Sequence, residues 1–182
     1  MKRIVERRLL LRAVTGRDAP ILAKWFNHQD NVRFMSPIIR GRKHTLRGIR
    51  KEIKSMDREY ERSFMVVEKK MKKTIGYAGI DDIFQLDKRG EIYFIIGDKS
   101  EQGKGYGKEI VALLLEYAFH KLRLHSVSAS AVVENKASLA ILAKFGFKRI
   151  GVRRDYNNIQ GKYVDEMLFD LLDREYFRKR NV

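Results

Sequence analysis

The 182-residue chain has no cysteine, and that absence excludes disulfides, thiolate-bound zinc, iron–sulfur clusters and a thiol nucleophile. Proline occurs twice and glycine 13 times, too few for a low-complexity linker, and no internal repeat divides the chain. No apolar run approaches the roughly 20 residues of a membrane helix. The opening stretch Met1-Lys2-Arg3-Ile4-Val5-Glu6-Arg7-Arg8 also lacks the apolar segment of a signal peptide. A cytoplasmic location with no membrane contact is the expectation. Acidic residues are in deficit: 23 Asp and Glu stand against 39 Lys and Arg, a formal net charge of +16. Core-forming material is plentiful, at 44% hydrophobic and 10% aromatic residues, enough for one folded domain over residues 1–182.

The basic excess admits two explanations. One is a solvated Lys/Arg-rich surface of the kind favoured at high temperature. The other is an anionic partner: a polyphosphate ligand, RNA or a ribosomal surface. The basic clusters at Lys2–Arg12, Arg40–Lys43, Lys69–Lys73 and Arg174–Arg180 are spread along the chain, and no aromatic-basic RNA motif accompanies them.

Apolar spacing outlines the elements. Arg8 to Val14 reads as a strand, followed by a helix capped by Asp18, with Pro20 in its first turn and Ile21, Leu22, Trp25 and Phe26 on one face. A second helix begins at Thr45, with Leu46, Ile49, Ile53 and Met56 as its buried stripe. Phe64–Glu68, Thr74–Asp82 and Glu91–Gly97 form a meander with turns at Lys69–Lys73 and Asp87–Gly90. A helix follows Gly107, then a strand over Ser126–Val133, a helix over Asn135–Lys144 stopped by Gly146, and strands Phe147–Arg153 and Tyr163–Leu172 around an Asn157–Gly161 turn. A short basic helix, Asp173–Arg180, ends the chain. This order predicts an α/β architecture with a mixed, mainly antiparallel sheet flanked by helices.

The segment Gln102-Gly103-Lys104-Gly105-Tyr106-Gly107-Lys108 lies between a buried strand and an amphipathic helix. Its glycines allow close backbone approach, and the helix start offers unpaired N–H groups and a positive dipole end, which together make a diphosphate cradle. A triphosphate-binding P-loop would need one more residue between its glycines and a Ser or Thr where Glu109 stands. A dinucleotide fingerprint would need glycine at Lys108. Both are excluded.

The same loop resembles the (Gln/Arg)-x-x-Gly-x-(Gly/Ala) motif with which GNAT N-acetyltransferases hold the pyrophosphate of acetyl-coenzyme A. Asn135-Lys136-Ala137-Ser138 and Phe145-Gly146-Phe147 resemble that superfamily's Asn-x-x-Ser helix and Gly-Phe turn, in the right order. Outer motifs, Arg8–Arg12 with Asp18 and Trp25, Ile75–Gly79 and Gly161–Glu166, are similar to the branch containing ribosomal-protein N-terminal and spermidine acetyltransferases.

The resemblance implies a GNAT fold whose sheet splays between its fourth and fifth strands, with acetyl-CoA as cosubstrate and no metal. It places cofactor contacts at Phe94, Ile95 and Ile96, at Gln102, Gly103, Lys104, Gly105, Tyr106, Gly107 and Lys108, and at Asn135 and Ser138. By the same resemblance Lys136 and Lys144 could join Lys104 and Lys108 where the anionic coenzyme would dock. Backbone N–H groups around Phe94–Ile96 would polarise the thioester carbonyl. Many members place an acidic Tyr seven residues after the Asn, but Leu142 stands there. The ribosomal branch uses the Ser three residues after the Asn, which makes Ser138 the expected acid. Glu91 is the expected base, with Asp81 and Asp82 as neighbouring alternatives. The implied acceptor is a protein N-terminal amine; a polyamine or other small amine is the alternative, for which Glu52, Asp57, Glu59 and Glu61 could supply a local acidic groove. A basic RNA- or ribosome-binding module that keeps the fold is the alternative from outside enzymology. A homodimer and a ribosome or RNA contact through the basic surface remain open as partners. The four histidines show no metal-ligand spacing.

Overall fold

A computed structural model describes residues 8–56 and 59–180. Lys2, Arg3 and Arg7 of the first basic cluster, and Asp57, lie outside the described residues. One sheet contains β1 (Leu9–Ala13), β2 (Arg62–Glu68), β3 (Lys73–Phe84), β4 (Arg89–Ile96), β5 (Ser126–Val132), β6 (Lys148–Ile159) and β7 (Lys162–Leu172). Its order is β1-β2-β3-β4-β5-β7-β6, and the β4–β5 pair alone is parallel among the described strands. The helices are α1 (Ala19–Phe26), the single turns α2 (Gln29–Val32) and α3 (Pro37–Arg40), α4 (Leu46–Ser55), α5 (Tyr106–Glu116), α6 (Lys136–Phe145) and α7 (Asp173–Arg180).

Strand alternation divides the core in two. Val66, Ala78, Ile80 and Ile92 face α5, where Ile110, Val111, Leu114 and Leu115 are fully buried. The intervening residues Met65 and Ile95, with Tyr77 beside them, face α1 and α4, where Leu22, Trp25 and Ile49 fill the second cluster. This period of two is what a sheet covered by helices on both faces requires. Trp25 closes on the end of β4, and a Cβ built on Gly97 would fall inside its indole ring.

Four local expectations change. Asp18 does not cap α1: it sits in a 3-10 turn over Gly16–Asp18, and its carboxylate accepts from Arg12 Nη1 (2.8 Å), Arg12 Nη2 (2.5 Å) and the Thr15 N–H (2.9 Å). Burial works against that charge, but the two-pronged Arg12 bond and Thr15 outweigh it and hold the carboxyl below its ordinary pKa. Leu46 is exposed, because α4 packs on α1 through Ile49 and leaves its first turn outside. Arg89 and Gly90 belong to β4 and not to the preceding turn. Finally, β6 runs through Asn157 to Ile159, and the hairpin turn is only Gln160-Gly161, with φ of 54° and 85°. Two positive φ values are the geometry of a tight type I′ turn, which leaves Asn157 and Asn158 free to pair with β7. α2 and α3 escaped the pattern reading because one turn carries no periodicity.

Gly97→Ala tests the Trp25 contact. The added methyl must displace packed indole, so equilibrium denaturation should show a loss of about 1–3 kcal/mol.

Candidate active site

The parallel ladder between β4 and β5 covers only Arg89↔Ser126, Gly90↔Val127 and Glu91↔Ser128. Beyond that point β5 continues along β7 as far as Val132↔Glu166, while β4 continues along β3 as far as Ile96↔Gly76. Ile92 to Ile96 therefore present to the opening a backbone edge outside the parallel ladder, as the expected splay requires. N–H direction alternates along a strand, so Phe94, Ile95 and Ile96 cannot all point into it.

The glycine loop stands at the end of this edge. A 3-10 turn over Lys99–Glu101, capped by Asp98, leads to Gly103 and Gly105, with φ of 77° and 83°. Gly105 is the N-cap of α5; the Lys108 N–H donates back to its carbonyl (3.2 Å), and the N–H groups ahead of it have no carbonyl one turn earlier in the helix. A Cβ on Gly103 would meet nothing within 4 Å, so the loop is open on the side a ligand would approach. Left-handed glycines, a free helix start and that open face fit a diphosphate. Gly107 has a different duty: its Cβ would lie 2.8 Å from Ile141 Cδ1, so glycine there lets α5 approach α6.

Side chains near the loop brace it. Gln102 Nε2 donates to the Ile96 carbonyl (2.8 Å), tying the loop to the strand end. Lys104 Nζ reaches Glu101 (2.9 Å), a buried carboxylate that also receives Lys73 (3.2 Å). Lys104 first, and then Lys73, hold the Glu101 carboxyl below its usual range. Tyr106 is buried, so it can offer a ligand only its backbone N–H. Arg8 was not among the expected site residues. Its Nε donates to Glu109 (2.6 Å), its Nη2 donates to the Lys104 carbonyl (3.0 Å), and its guanidinium lies 4.2 Å from the Tyr106 ring centre. One arginine in a basic cluster carries no signal that it alone touches a loop almost a hundred residues away.

Below the splay lies a cleft of about 600 Å³. Glu61, Asp81, Asp82, Glu91 and Glu166 line it, against a single arginine, Arg153, which is spent on Glu166 at 2.9 Å. Of the acidic groove expected from the sequence, Glu61 is present, whereas Glu52 pairs with Arg42 at 2.8 Å. Asp81 and Glu91 are direct cross-strand partners. Glu61 precedes β2, whose register pairs Arg62 with Ile80 and Ser63 with Gly79, so it comes next in line to Asp81. Burial first, then the charges of Glu91, Asp82 and Glu61, push the Asp81 carboxyl up to about 7. Burial also raises Glu91, opposed by a hydrogen bond from Ser130 Oγ (3.0 Å).

The next row on the same face is Ser63, Gly79 and Tyr93. Glycine is required in its middle, because Tyr93 crosses that position to bring its hydroxyl within 2.5 Å of Ser63 Oγ. Tyr77 Oη donates to Ser63 (2.8 Å), and both Ser63 and Tyr93 donate to Glu61. Burial raises both phenols above their ordinary pKa, so they remain neutral donors.

Asn135 caps α6 by accepting the Ser138 N–H (3.2 Å). Ser138 and Leu142 line the cleft on the side opposite the carboxylates' strands, so Ser138 and Glu91 share one cavity. Phe34–Ile39 form its rim. This strap crosses to the far wall at two points: Phe34 packs on Val132, Ile159 and Val164, and Arg40 donates to the Asn158 carbonyl and to Asn157 Oδ1 (3.2 Å).

Comparison with known proteins agrees with this geometry. A family model described as an acetyltransferase (GNAT) domain matches residues 8–148. An N-acetyltransferase designated p20 from Bacillus licheniformis is 29% identical over 177 residues, 97% of this chain and 99% of the relative. The ribosomal protein uS5-alanine N-acetyltransferase of Escherichia coli is 28% identical over 178 residues, 91% of this chain and 88% of that one. The crystal structure of spermidine N-acetyltransferase from Vibrio cholerae, in complex with CoA and spermine, superposes with a TM-score of 0.85 at 23% identity, covering 94% and 99% of the two chains. The chain belongs to the GNAT acetyltransferase family and is an N-acetyltransferase that uses acetyl-CoA.

Proposed function

We propose that this enzyme acetylates a primary amine that carries further positive charge, an acceptor of the polyamine kind. The observation that supports this reading is the reversal of charge in the cleft: a protein of net charge +16 lines its acceptor cavity with five carboxylates and one paired arginine. Like charges held side by side cost stability, and a cationic ligand removes that cost. Screening limits the repulsion of the distant basic surface to within about 8 Å at physiological salt, so the near carboxylates govern what enters. The second reading is a protein N-terminal amine, with the exposed Lys69–Lys72 turn and the Arg40–Lys43 cluster as a ribosomal RNA contact. Its support is the similarity to the uS5-alanine enzyme along most of both chains. A short peptide tail gives less reason for five carboxylates, so it ranks second. A cytoplasmic site of action belongs to either reading; no described helix is long and apolar enough to cross a membrane.

The donor supplies an acetyl group activated as a thioester. Backbone N–H groups of Gly103 to Lys108 would hold its diphosphate, and the splayed edge of β4 would offer N–H donors to the thioester carbonyl. Glu91, steadied by Ser130, would orient the incoming ammonium. Ser138 would give a proton to the departing sulfur; the position one turn later is the buried, apolar Leu142, which has none to give.

Three measurements test this reading. Gly105→Asp puts a negative charge into the cradle, with Arg8 Nη2 3.8 Å from the new Cβ; calorimetry with coenzyme A should show at least tenfold weaker binding, about 1.4 kcal/mol, beside a fall of a few degrees in melting temperature from the left-handed φ of 83°. Ser138→Ala should reduce kcat by roughly 10- to 100-fold with little change in coenzyme affinity if the hydroxyl is the acid. An affinity loss alone would make it a ligand contact. In acceptor assays kcat/KM should favour a linear triamine over an alanine-ended peptide by about 100-fold at low salt, and the gap should narrow as salt rises. The opposite ranking at every salt concentration would establish the N-terminal reading.

A further inference from the structure

We infer that Asp81 is the residue that removes the proton from the acceptor ammonium, while Glu91 beside it holds that ammonium in place. The inference rests on the acetyl-transfer reading above and adds to it the identity of the base.

The register makes the argument. Asp81 is directly opposite Glu91 on β4, and Glu61 stands next in line on its other side. Cross-strand neighbours have Cβ atoms about 5 Å apart, and like charges in that position are destabilising. Here three carboxylates lie abreast at the mouth of the splay, all lining the cleft, and no cation shares the row. Arg62 donates to the Glu61 carbonyl and not to a carboxylate, and Arg153 is paired with Glu166. Two members of the row have donors that favour their charged form: Ser63 and Tyr93 on Glu61, and Ser130 on Glu91. Among the described residues no side chain donates to Asp81, and its own backbone N–H is the donor that favours its charged form. The middle carboxylate is therefore the one whose charge is least supported.

The backbone is built around the same residue. β3 leaves its ladder with β4 between Asp81 and Phe84, and Asp82 adopts a left-handed φ of 46°. A bulge at a strand end re-aims the side chain beside it, and a non-glycine residue with positive φ is retained where surrounding structure demands it.

The groups that face Asp81 are Glu61 before β2, Asp82 on β3, Glu91 on β4 and the neutral phenols of Tyr77 and Tyr93. Farther across the cleft are Ser130 on β5, Arg153 on β6 and Glu166 on β7. The balance places the Asp81 midpoint at about 7, where a base can still accept a proton from an ammonium yet is half ionised at neutral pH. Below that midpoint Asp81 is protonated and cannot serve, so activity falls as pH falls through it.

The step balances as follows. The ammonium gives one proton to the Asp81 carboxylate. The freed nitrogen pair forms the N–C bond to the acetyl carbon, the C–S bond breaks, and its electron pair leaves on sulfur. The second nitrogen proton neutralises that sulfur through Ser138 or water, and Asp81 returns its proton to solvent.

The test combines a titration with kinetics. In protein labelled with ¹³C at aspartate carboxyls, the Asp81 signal, assigned by its loss in Asp81→Asn, should titrate with a midpoint near 7. Glu91→Gln should lower that midpoint by removing the adjacent charge. Asp81→Asn should reduce kcat/KM by at least 100-fold and abolish the acidic limb of the pH profile, with coenzyme A affinity kept within about threefold. A midpoint near the ordinary 4 overturns the inference whatever the acceptor proves to be, and so does an Asp81→Asn enzyme that keeps both rate and limb. If Glu91→Gln alone removes the limb, Glu91 is the base. If no polyamine or diamine is acetylated by the wild type, the acceptor reading fails, and the same titration and limb, followed with the amine that is acetylated, decide the role of Asp81.

Discussion

The structure depends on the early end of one ladder. β4 and β5 share three residue pairs and then part, because each has a longer commitment elsewhere: β4 to β3 as far as Ile96, and β5 to β7 as far as Val132. Unpaired backbone is tolerated where it lines a cavity and finds other partners. The gap therefore leaves room for a donor thioester along the β4 edge and an acceptor beneath it. The glycine loop lies at the far end of the same edge, tied back by Gln102 on the Ile96 carbonyl, so in the proposed binding mode one strand would fix both the coenzyme's diphosphate and the reacting carbonyl.

Charge in this protein works at two ranges. The formal +16 is spread over clusters, and beyond a Debye length it is largely screened. The row of Glu61, Asp81 and Glu91 acts over a few ångströms in a partly desolvated cavity, where burial and then the charges of Glu91, Asp82 and Glu61 raise Asp81. A natural sheet avoids like charges directly opposite one another unless something occupies the site for part of the working cycle. The arginines near the cleft offset the row only in part: Arg153 pairs with Glu166 and its charge opposes the rise of Glu91, while Arg40 binds the strap to Asn157 and Asn158. Glu166 is linked to the strap through Asn157 Nδ2 at 3.4 Å, so the rim of the cleft and its charge are mechanically connected.

The loop Gln102–Lys108 and the Asn135–Ser138 helix start were readable from the sequence because each works through local geometry: consecutive glycines and a cap are visible in adjacent letters. The order of strands and major helices followed from periods of two and of 3.6. The carboxylate row was not readable, since Glu61, Asp81 and Glu91 meet only through the register of three strands, and register is not written in any one of them. For the same reason Glu52 and Glu59 were grouped with Glu61 by proximity in sequence, although Glu52 is held by Arg42. Arg8 escaped because its partners are on α5 and its loop. Asp18 looked like a cap because caps are made by such residues, but its carboxylate is turned back to the Arg12 guanidinium and the Thr15 N–H and makes no hydrogen bond to the first turn of α1.

The second row explains how such a row of carboxylates is kept in place. Tyr93 crosses Gly79 to reach Ser63, and the pair hold Glu61 from above. A side chain at position 79 would block that crossing and free Glu61 to turn away from Asp81. Raised phenol pKa values keep Tyr77 and Tyr93 as neutral donors at any pH at which the enzyme works, so their contribution to Glu61 does not titrate with the site. Across the cleft Leu142 is buried and offers no hydroxyl, and Ser138 sits one turn earlier, with its N–H already committed to Asn135. In the proposed mechanism base and acid would thus be carried by different elements that line one cleft. Proton removal would then be set by a sheet row whose geometry cannot shift without breaking register, whereas proton donation would be set by the first turn of a capped helix.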